Sequence, residues 1–407
     1  MTTHSTSSYR HRRTLTLLLA GLATLGPFSI DTYMPSFPAI GASLHISPLQ
    51  LQQTLSVYLI SFAVMMLFHG PFSDSFGRRP IILVSLLVFV LASIGCVFSY
   101  DINHLLIFRG IQGMSAGAGM VVGRAMIRDL FAGHEAQKLM SQVTMIFGIS
   151  PAVAPVIGGW LHVWFGWHSV FVFLALFGLI LFAFCFRYLP ETLPEIGRQP
   201  FAAKPLLKNY RMVLSNRQFL FLAGTVSFNF AGFFLYIASA PVFVIQHLKL
   251  AENQFAWLFI PAVSGMIIGA FLSGKVAGRI SAQETIKYAF MLLITAAGLN
   301  LGYNLVFPPS LPWAVLPVLL YGLGMSLAMP TISLLALDLY PLNRGLVSSM
   351  QGFAQTMLNA GVAGLASPFL SFSMVALAAG MGAFLLLGLF SWVNYLKVKG
   401  QEALCTN

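Results

Sequence analysis

Charged side chains are scarce in this sequence. Only 8% of its 407 residues are Asp, Glu, Lys or Arg, whereas about 25% is usual in a soluble globular protein. Hydrophobic residues make up 57% of the chain, and they occur in uninterrupted runs of about twenty, the length of a membrane-spanning helix. The runs also exclude a transmembrane β-barrel, whose strands alternate polar and apolar residues over about ten positions. An all-α integral membrane protein is therefore predicted.

Cysteine and clustered catalytic groups are also few. The chain has 3 cysteines, Cys96, Cys185 and Cys405, and their positions predict neither a disulfide nor a metal framework. Its 9 histidines show no metal-ligand spacing, and no cluster of acids indicates a membrane-embedded enzyme. A phosphate-binding loop is absent, because GAFLSGKV at 269–276 has Val276 where Ser or Thr is required. We therefore predict no enzyme activity, no metal, no cofactor and no ATP-driven pump.

Acidic residues are half as numerous as basic ones, 11 against 22, which gives a net charge of +11. If the amino terminus is cytoplasmic and the chain has twelve spans, Lys249 is the one basic residue of the outer loops and Arg109 lies within a span. The other basic residues lie at inner ends, a strong positive-inside bias. The charge thus reflects the lipid bilayer and does not predict a nucleic-acid partner, and both termini are expected in the cytoplasm.

The apolar runs divide into two sets of six, separated by a proline-rich and basic loop that we interpret as a hinge. The predicted organisation is a cytoplasmic tail 1–13, a six-helix half 14–190, a cytoplasmic loop 191–216, a second six-helix half 217–398 and a cytoplasmic tail 399–407. The first span is placed at 14–40. A secretory signal is the alternative for the run from Leu15, but the run continues to Ile40, and cleavage would break the even count of spans.

A weak internal repeat favours two equivalent halves, as transporter folds commonly show. Gly113-Met114-Ser115 in the fourth span recurs as Gly324-Met325-Ser326 in the tenth. The turn Gly77-Arg78 has a degenerate counterpart in Gly278-Arg279.

The turn between the second and third spans lies in the stretch MMLFHGPFSDSFGRRPIIL at 65–83. Its glycines allow two helix ends to approach closely, Asp74 is expected to accept backbone N–H bonds, and the paired arginines are expected to stay in water. The pattern G-x-x-x-D-x-x-G-R-R resembles the loop signature of the major facilitator superfamily, carried here by Gly70, Asp74, Gly77, Arg78 and Arg79. The resemblance implies a charge cluster with Asp129, and we predict that Asp74, Arg78 and Asp129 form a cytoplasmic latch.

Asp31 lies within the first span, in the stretch FSIDTYMPSFP. It is about sixteen residues, or roughly 24 Å, beyond the cytoplasmic start of a span that crosses a core about 30 Å thick. An ionisable group at that depth is a functional hypothesis by default, here a carboxylate that binds and releases a proton. The alternative is that the span ends early and Asp31 caps it in water, helped by Pro35 and Pro38.

Arg109 is a candidate counter-ion for Asp31, because it lies roughly 7–8 Å below the outer start of the fourth span, at comparable depth. Arg109-Gly110-Ile111-Gln112-Gly113 resembles the R-x-x-Q-G signature of the superfamily, whose arginine is associated with proton coupling. The resemblance makes Asp31 and Arg109 the predicted proton-coupling residues. The alternative is an arginine that snorkels to the outer headgroups.

The fifth span contains GISPAVAPVIGG at 148–159. Its prolines and paired glycines predict a bendable helix with a smooth face for close packing. The stretch resembles the antiporter signature of drug exporters, G-P-x-x-G-G, with Ala154 in place of the first glycine; its motif residues are Pro151, Pro155, Gly158 and Gly159. Together with the sequence DTYMP at 31–35, it is similar to the Bcr/CflA (bicyclomycin-resistance-like) drug:proton antiporters. A packing kink without directional meaning is the alternative.

Polar and aromatic side chains within the spans are candidates for a substrate cavity. Gln351, Gln355 and Asn359 recur every four residues and therefore share one face of the eleventh span. Hydrogen bonding between helices is the alternative role for such side chains. The candidate set is Tyr33, Tyr58, Gln112, Asn229, Tyr236, Gln351, Gln355 and Asn359.

The resemblance implies the twelve-helix fold of the superfamily, with the third, sixth, ninth and twelfth helices outside the other eight. It implies a monomer of the bacterial inner membrane that exchanges incoming protons for outgoing small drug-like molecules, with the proton gradient as its energy source. Asp31 would bind a proton while facing outside and release it inside, while the two halves rock about a central site. The alternative is a proton-coupled symporter or exporter of a sugar, amino acid or other metabolite, against which the fifth-span glycines argue.

Overall fold

The computed structural model is all-helical, with no strand among the residues it describes, which are 3–131, 133–198, 201, 203–276, 279–340 and 344–405. The all-α membrane fold predicted from the sequence is confirmed. The chain divides into two compact units, Met1–Phe201 and Ala202–Asn407. The sequence-derived halves 14–190 and 217–398 each fall within one unit.

The first unit is built from long helices and one short helix near its amino terminus. In chain order they are α1 (Thr3–Asp31), α2 (Phe37–Leu44), α3 (Pro48–Phe76), α4 (Arg78–Val97), α5 (Ile102–Ala116), α6 (Ala118–Leu130), α7 (Gly133–Phe165) and α8 (His168–Tyr188). A 3-10 turn, Met34–Ser36, connects α1 to α2.

The second unit begins with a short helix, continues with long ones and has a second short helix before its last one. They are α9 (Ala203–Leu214), α10 (Arg217–Ala238), α11 (Ala256–Val276), α12 (Ala282–Val306), α13 (Leu316–Asp338), α14 (Arg344–Gly361), α15 (Ser367–Leu370) and α16 (Met374–Cys405). Two π-helical segments, Val242–His247 and Val362–Ala366, follow α10 and α14.

Within the described residues, 11 helical segments are long and apolar enough to cross a membrane. The remaining predicted span lies where the chain is helical from Arg344 to Leu370. Three side-chain amides, those of Gln351, Gln355 and Asn359, make this segment less apolar than the others. Each of the twelve predicted spans therefore has a helical counterpart.

Four details differ from the sequence-based expectations. The first span, predicted as a continuous helix over 14–40, is interrupted after Asp31 and resumes as α2, and the fourth is interrupted at Gly117. The central loop 191–216 contains α9, because Lys204 to Leu214 carry an amphipathic period that its prolines obscured. Regular helix also extends into both predicted tails, from Thr3 and to Cys405. Gly278 of the repeated turn lies outside the described residues.

Close packing of α11 on α13 depends on two glycines one helical turn apart. A Cβ atom added to Gly265 would collide with the carbonyl oxygen of Leu319, and one added to Gly269 would collide with that of Leu323. This small-xxx-small spacing lets two membrane helices approach through their backbones. Van der Waals contact along this stripe stabilises the second unit where the hydrophobic effect between helices is weak.

We expect Gly265→Ala to destabilise the protein by about 1–3 kcal/mol, the usual range for overpacking, because the added methyl group meets a backbone carbonyl that cannot rotate away. Thermal unfolding of the purified protein in detergent measures this effect. Gly298→Ala in α12 is the matched control, since no atom lies within 4 Å of its added Cβ. Equal unfolding temperatures for the two variants would contradict the role given to this contact.

Candidate functional site

The end of α1 places Asp31 inside the protein. Asp31 is the last residue of α1 and is only 4% exposed. Thr32 donates its backbone N–H and its Oγ1 hydroxyl to the carbonyl oxygen of Phe28, at 3.2 and 2.5 Å. The helix does end at Asp31, as the capping alternative required, but the end is not in water. The alternative in which Asp31 caps the helix in water does not fit this burial.

Arg109 satisfies another carbonyl group at the same helix end. Its Nη1 donates to the backbone oxygen of Ser29 at 3.0 Å, two residues before Asp31. The last carbonyl groups of a helix have no intrahelical partner, so a donor from a neighbouring helix stabilises the break. Arg109 is fully buried, which rules out the snorkelling alternative in this structure.

The guanidinium of Arg109 is held between two aromatic rings. Its central carbon lies 4.7 Å from the ring centre of Tyr33 and 4.3 Å from that of Tyr58. Its Nη1 also donates to Oε1 of Gln112 at 2.5 Å. Ring faces and a charge-assisted hydrogen bond compensate the removal of this cation from water.

A second layer of hydrogen bonds fixes the groups around Arg109. Tyr33 and Thr54 share a hydroxyl–hydroxyl bond of 2.9 Å, and the Tyr58 hydroxyl donates to the carbonyl oxygen of Gly26 at 3.2 Å. Gln112 donates its Nε2 to Oγ of Ser93 at 2.8 Å. The three predicted cavity residues of this unit, Tyr33, Tyr58 and Gln112, thus surround Arg109.

Arg109 binds the helix end that carries Asp31 but forms no ion pair with Asp31. Among the side chains that the structure describes, Arg78 forms two salt bridges and Arg109 forms none. Nε and Nη2 of Arg109 are buried and have no acceptor among the described residues. The guanidinium therefore retains two donor nitrogens, which carry three N–H groups, beside the helix end that carries Asp31.

The fifth-span motif packs against the chain that follows Asp31. A Cβ atom on Gly158 would collide with the carbonyl oxygen of Thr32. Ala154, Pro155 and Gly159 are buried on the same helix, which runs without interruption despite Pro151 and Pro155. The smooth face predicted from the sequence is present. Gly158 is the motif residue that contacts the first span, at the carbonyl oxygen of Thr32.

We expect Gly158→Ala to displace the Thr32 carbonyl and destabilise the contact between α7 and the α1 break by about 1–3 kcal/mol. Thermal unfolding of the purified protein in detergent measures this effect. Gly148→Ala, on the same helix, is the control because its added Cβ has no atom within 4 Å. If the Gly158 variant unfolds at the same temperature as the control, the close contact does not contribute to stability.

The turn between α3 and α4 consists of one residue, Gly77. Its φ of 99° and ψ of 153° lie where side chains are disfavoured, which explains the glycine. Arg78, directly after it, donates to Asp74 at 2.5 Å and to Asp129 at 3.2 Å. It also donates to Oγ of Ser73 at 2.6 Å. The structure thus brings the three predicted latch residues together.

Two expectations about this turn are corrected. The Arg78 side chain is only 10% exposed and so is not in water, because three oxygen acceptors surround it. Asp74 does not accept backbone N–H bonds at the start of α4, since it belongs to the last turn of α3 and pairs with Arg78. Gly70 instead faces α6, where Val121 is 4.0 Å from its added Cβ.

Glu191 is the carboxylate that caps α4. It accepts the backbone N–H of Arg78 at 3.0 Å and that of Arg79 at 3.2 Å. The next residue, Thr192, donates to Asp129 at 2.8 Å, while Arg79 donates to the carbonyl oxygen of Phe186 at 2.7 Å. A carboxylate at a helix amino terminus is favoured by the unpaired N–H groups and the helix dipole.

Sequence reasoning missed Glu191 because more than a hundred residues separate it from α4. The available signal was an acidic residue at the inner end of the sixth span, the same side of the membrane as the turn. Gly77 also leaves room for it, since an added Cβ would lie 2.6 Å from its Oε2. The end of α8 and the turn therefore form one charge cluster.

We expect Glu191→Gln to destabilise the start of α4 by about 1 kcal/mol, since an amide offers one acceptor atom and no charge. Thermal unfolding measures stability, and cysteine accessibility on α3 reports opening of the turn. Glu195→Gln is the control because that side chain is 89% exposed and its contact to Arg198 is 4.0 Å. Indistinguishable results for both variants would remove Glu191 from the cluster.

The predicted cavity residues of the second unit are engaged mainly with neighbouring helices. Tyr236 accepts a hydrogen bond from Nδ2 of Asn300 at 2.7 Å, and Gln351 donates to Oγ of Ser333 at 2.9 Å. The remaining members are Asn229, buried where Gly388 approaches it; Asn359, also buried; and Gln355, half-buried. Gln351 thus makes the interhelical bond of the alternative interpretation, and substrate contact by the set stays a prediction.

No group of three or more His, Cys, Asp or Glu side chains within the described ranges is placed to hold a metal ion. A buried carboxylate and a buried guanidinium at a broken membrane helix, together with a charged turn, are instead the features of a secondary transporter. The family model of the Major Facilitator Superfamily matches residues 18–366. This chain belongs to that superfamily, a family of transporters and not of enzymes.

Relatives and solved structures agree with this assignment. The chain is 33% identical over 294 residues to the bicyclomycin resistance protein homolog of Haemophilus influenzae, covering 70% of this chain and 74% of that protein. It is 31% identical over 295 residues to the multidrug resistance protein MdtM of Escherichia coli K12, covering 72% of each. A D-xylose-proton symporter structure shares the fold, with a TM-score of 0.71 at 16% identity over 94% of this chain and 97% of that one. The predicted resemblance to bicyclomycin-resistance-like proteins is confirmed.

Proposed function

We propose that this transporter is a proton-coupled antiporter that exports small drug-like molecules across the bacterial inner membrane. The observation that carries the proposal is the buried Asp31 at the break of α1, next to the Ser29 carbonyl that Arg109 holds. The names of two relatives, a bicyclomycin resistance protein homolog and a multidrug resistance protein, support drugs as the substrate class.

Asp31 is the proposed proton carrier. In the described conformation, the Arg109 charge is engaged by Tyr33, Tyr58 and Gln112 and is not paired with Asp31. A neutral, protonated Asp31 is compatible with that arrangement, because a buried carboxyl group without a cationic partner is more favourable uncharged. The free Nε and Nη2 donors of Arg109 would stabilise the carboxylate after the proton leaves.

Gly158 is the proposed link between the fifth span and proton binding. Its close approach to Thr32 means that bending of α7 at Pro151 or Pro155 would move the residue next to Asp31. The latch of Asp74, Arg78 and Asp129 would favour one of two alternating states. Since Asp74 is half exposed and solvent screens its pairing with Arg78, we expect the latch to shift this equilibrium by only about 1 kcal/mol. The proposal includes a monomer with both termini in the cytoplasm and the proton gradient as its energy source.

We expect Asp31→Asn to abolish proton-coupled export while the protein stays folded, because the amide keeps the shape of the side chain but cannot exchange a proton. Proteoliposomes allow drug efflux and substrate-dependent proton flux to be measured together, with substrates chosen by a tolerance screen in an efflux-deficient strain. Asp101→Asn is the control, since Asp101 caps α5 with a bond of 2.9 Å to His104 N and asparagine caps equally well. Normal uphill export by the Asp31 variant would falsify the coupling role, and drug-independent uptake of a metabolite would favour the symporter.

A further inference from the structure

The short helix α9 carries a surface that transport does not explain. Its basic residues Lys204, Lys208 and Arg211 are all exposed, and at 100° per residue they lie within an arc of about 60°. Leu207 and Leu214 lie beside them, 70% and 51% exposed. A solvent-facing pair of leucines next to a basic ridge is the pattern of a helix that lies in a membrane interface.

The opposite side of α9 is attached to its own unit. Val213 is fully buried, and the Tyr340 hydroxyl donates to the carbonyl oxygen of Met212 at 3.3 Å. These contacts fix the rotation of α9, so its leucine and basic ridges point away from the unit that holds it.

The connection to α10 places α9 at the membrane surface. Only Ser215 and Asn216 separate the end of α9 from Arg217, where α10 begins to cross the bilayer. Three Cα–Cα distances of about 3.8 Å keep the Cα atom of Leu214 within roughly 11 Å of that of Arg217. The headgroup layer is about 5–8 Å thick, so the end of α9 lies within or close to this layer. The segment from 203 to 217 contains no acidic residue. Its charge therefore complements anionic headgroups and does not repel them.

We propose that α9 binds anionic phospholipid headgroups of the leaflet in which α10 begins, with Leu207 and Leu214 inserted among the acyl chains and Lys204, Lys208 and Arg211 on the phosphates. The leucines favour a lipid surface over a soluble polyanion, which would leave them in water. By positive-inside charge this is the cytoplasmic leaflet. The inference concerns a lipid site and is independent of which substrate the protein exports.

The full-length protein, reconstituted in vesicles with brominated acyl chains, tests the insertion. A bimane label is attached at Leu207→Cys in a Cys405→Ser background, since Cys96 and Cys185 are buried. We expect quenching at this position in phosphatidylcholine vesicles that contain phosphatidylglycerol. Asn209→Cys is the matched control, because Asn209 is exposed but lies about 160° away around α9. Equal quenching at both positions, or none at Leu207, overturns the proposal.

The anionic requirement is tested by titrating phosphatidylglycerol into the same vesicles. We expect the triple variant Lys204→Gln, Lys208→Gln, Arg211→Gln to raise the fraction needed for half-maximal quenching at least about fivefold, since each basic residue near an anionic surface contributes about that factor. Lys287→Gln, Lys397→Gln, Lys399→Gln is the control with the same loss of charge from exposed sites elsewhere. A midpoint that is unchanged in the first variant, or raised equally in both, shows that α9 does not recognise anionic lipid.

Discussion

Backbone hydrogen bonding in a medium without water is the constraint on which this structure depends. A membrane helix that stops inside the bilayer leaves carbonyl groups that only the protein can satisfy. At the end of α1 these partners are Thr32, which bonds to Phe28, and Arg109, which bonds to Ser29. The break can persist at Asp31 because α5 supplies a cation that doubles as a hydrogen-bond donor.

Burying that cation determines much of the surrounding composition. Arg109 has no exposure, so its charge needs π faces and polar atoms close by. Tyr33 and Tyr58 supply the faces, Gln112 supplies an oxygen, and Thr54 and Ser93 orient these side chains. The first unit thereby has a hydrogen-bonded polar centre beside the helix end that carries Asp31, a carboxyl group without a cationic partner among the described side chains.

Close backbone contact extends this centre to the fifth span and recurs in the second unit. Gly158 lets α7 touch the Thr32 carbonyl, while Gly265 and Gly269 let α11 touch the carbonyls of α13. Gly77 serves a different purpose, since its positive φ makes a one-residue turn and its missing side chain admits Glu191. Glycines therefore determine where neighbouring helices come into backbone contact. At Gly77 the missing side chain also leaves the space that the carboxylate of Glu191 occupies.

The sequence by itself determined the membrane class, the positions of the spans, the loop signature and the identity of Asp31, Arg109 and Gly158 as unusual residues. It did so because apolar run length, charge bias and short motifs are local properties of the chain. Only the tertiary structure decided what those residues touch: that Arg109 binds Ser29, that Arg78 is buried, that Glu191 caps α4 and that Gln351 bonds to Ser333. Such contacts join residues far apart in sequence, and the spacing of residues along one helix carries no information about which neighbouring helix completes their hydrogen bonds.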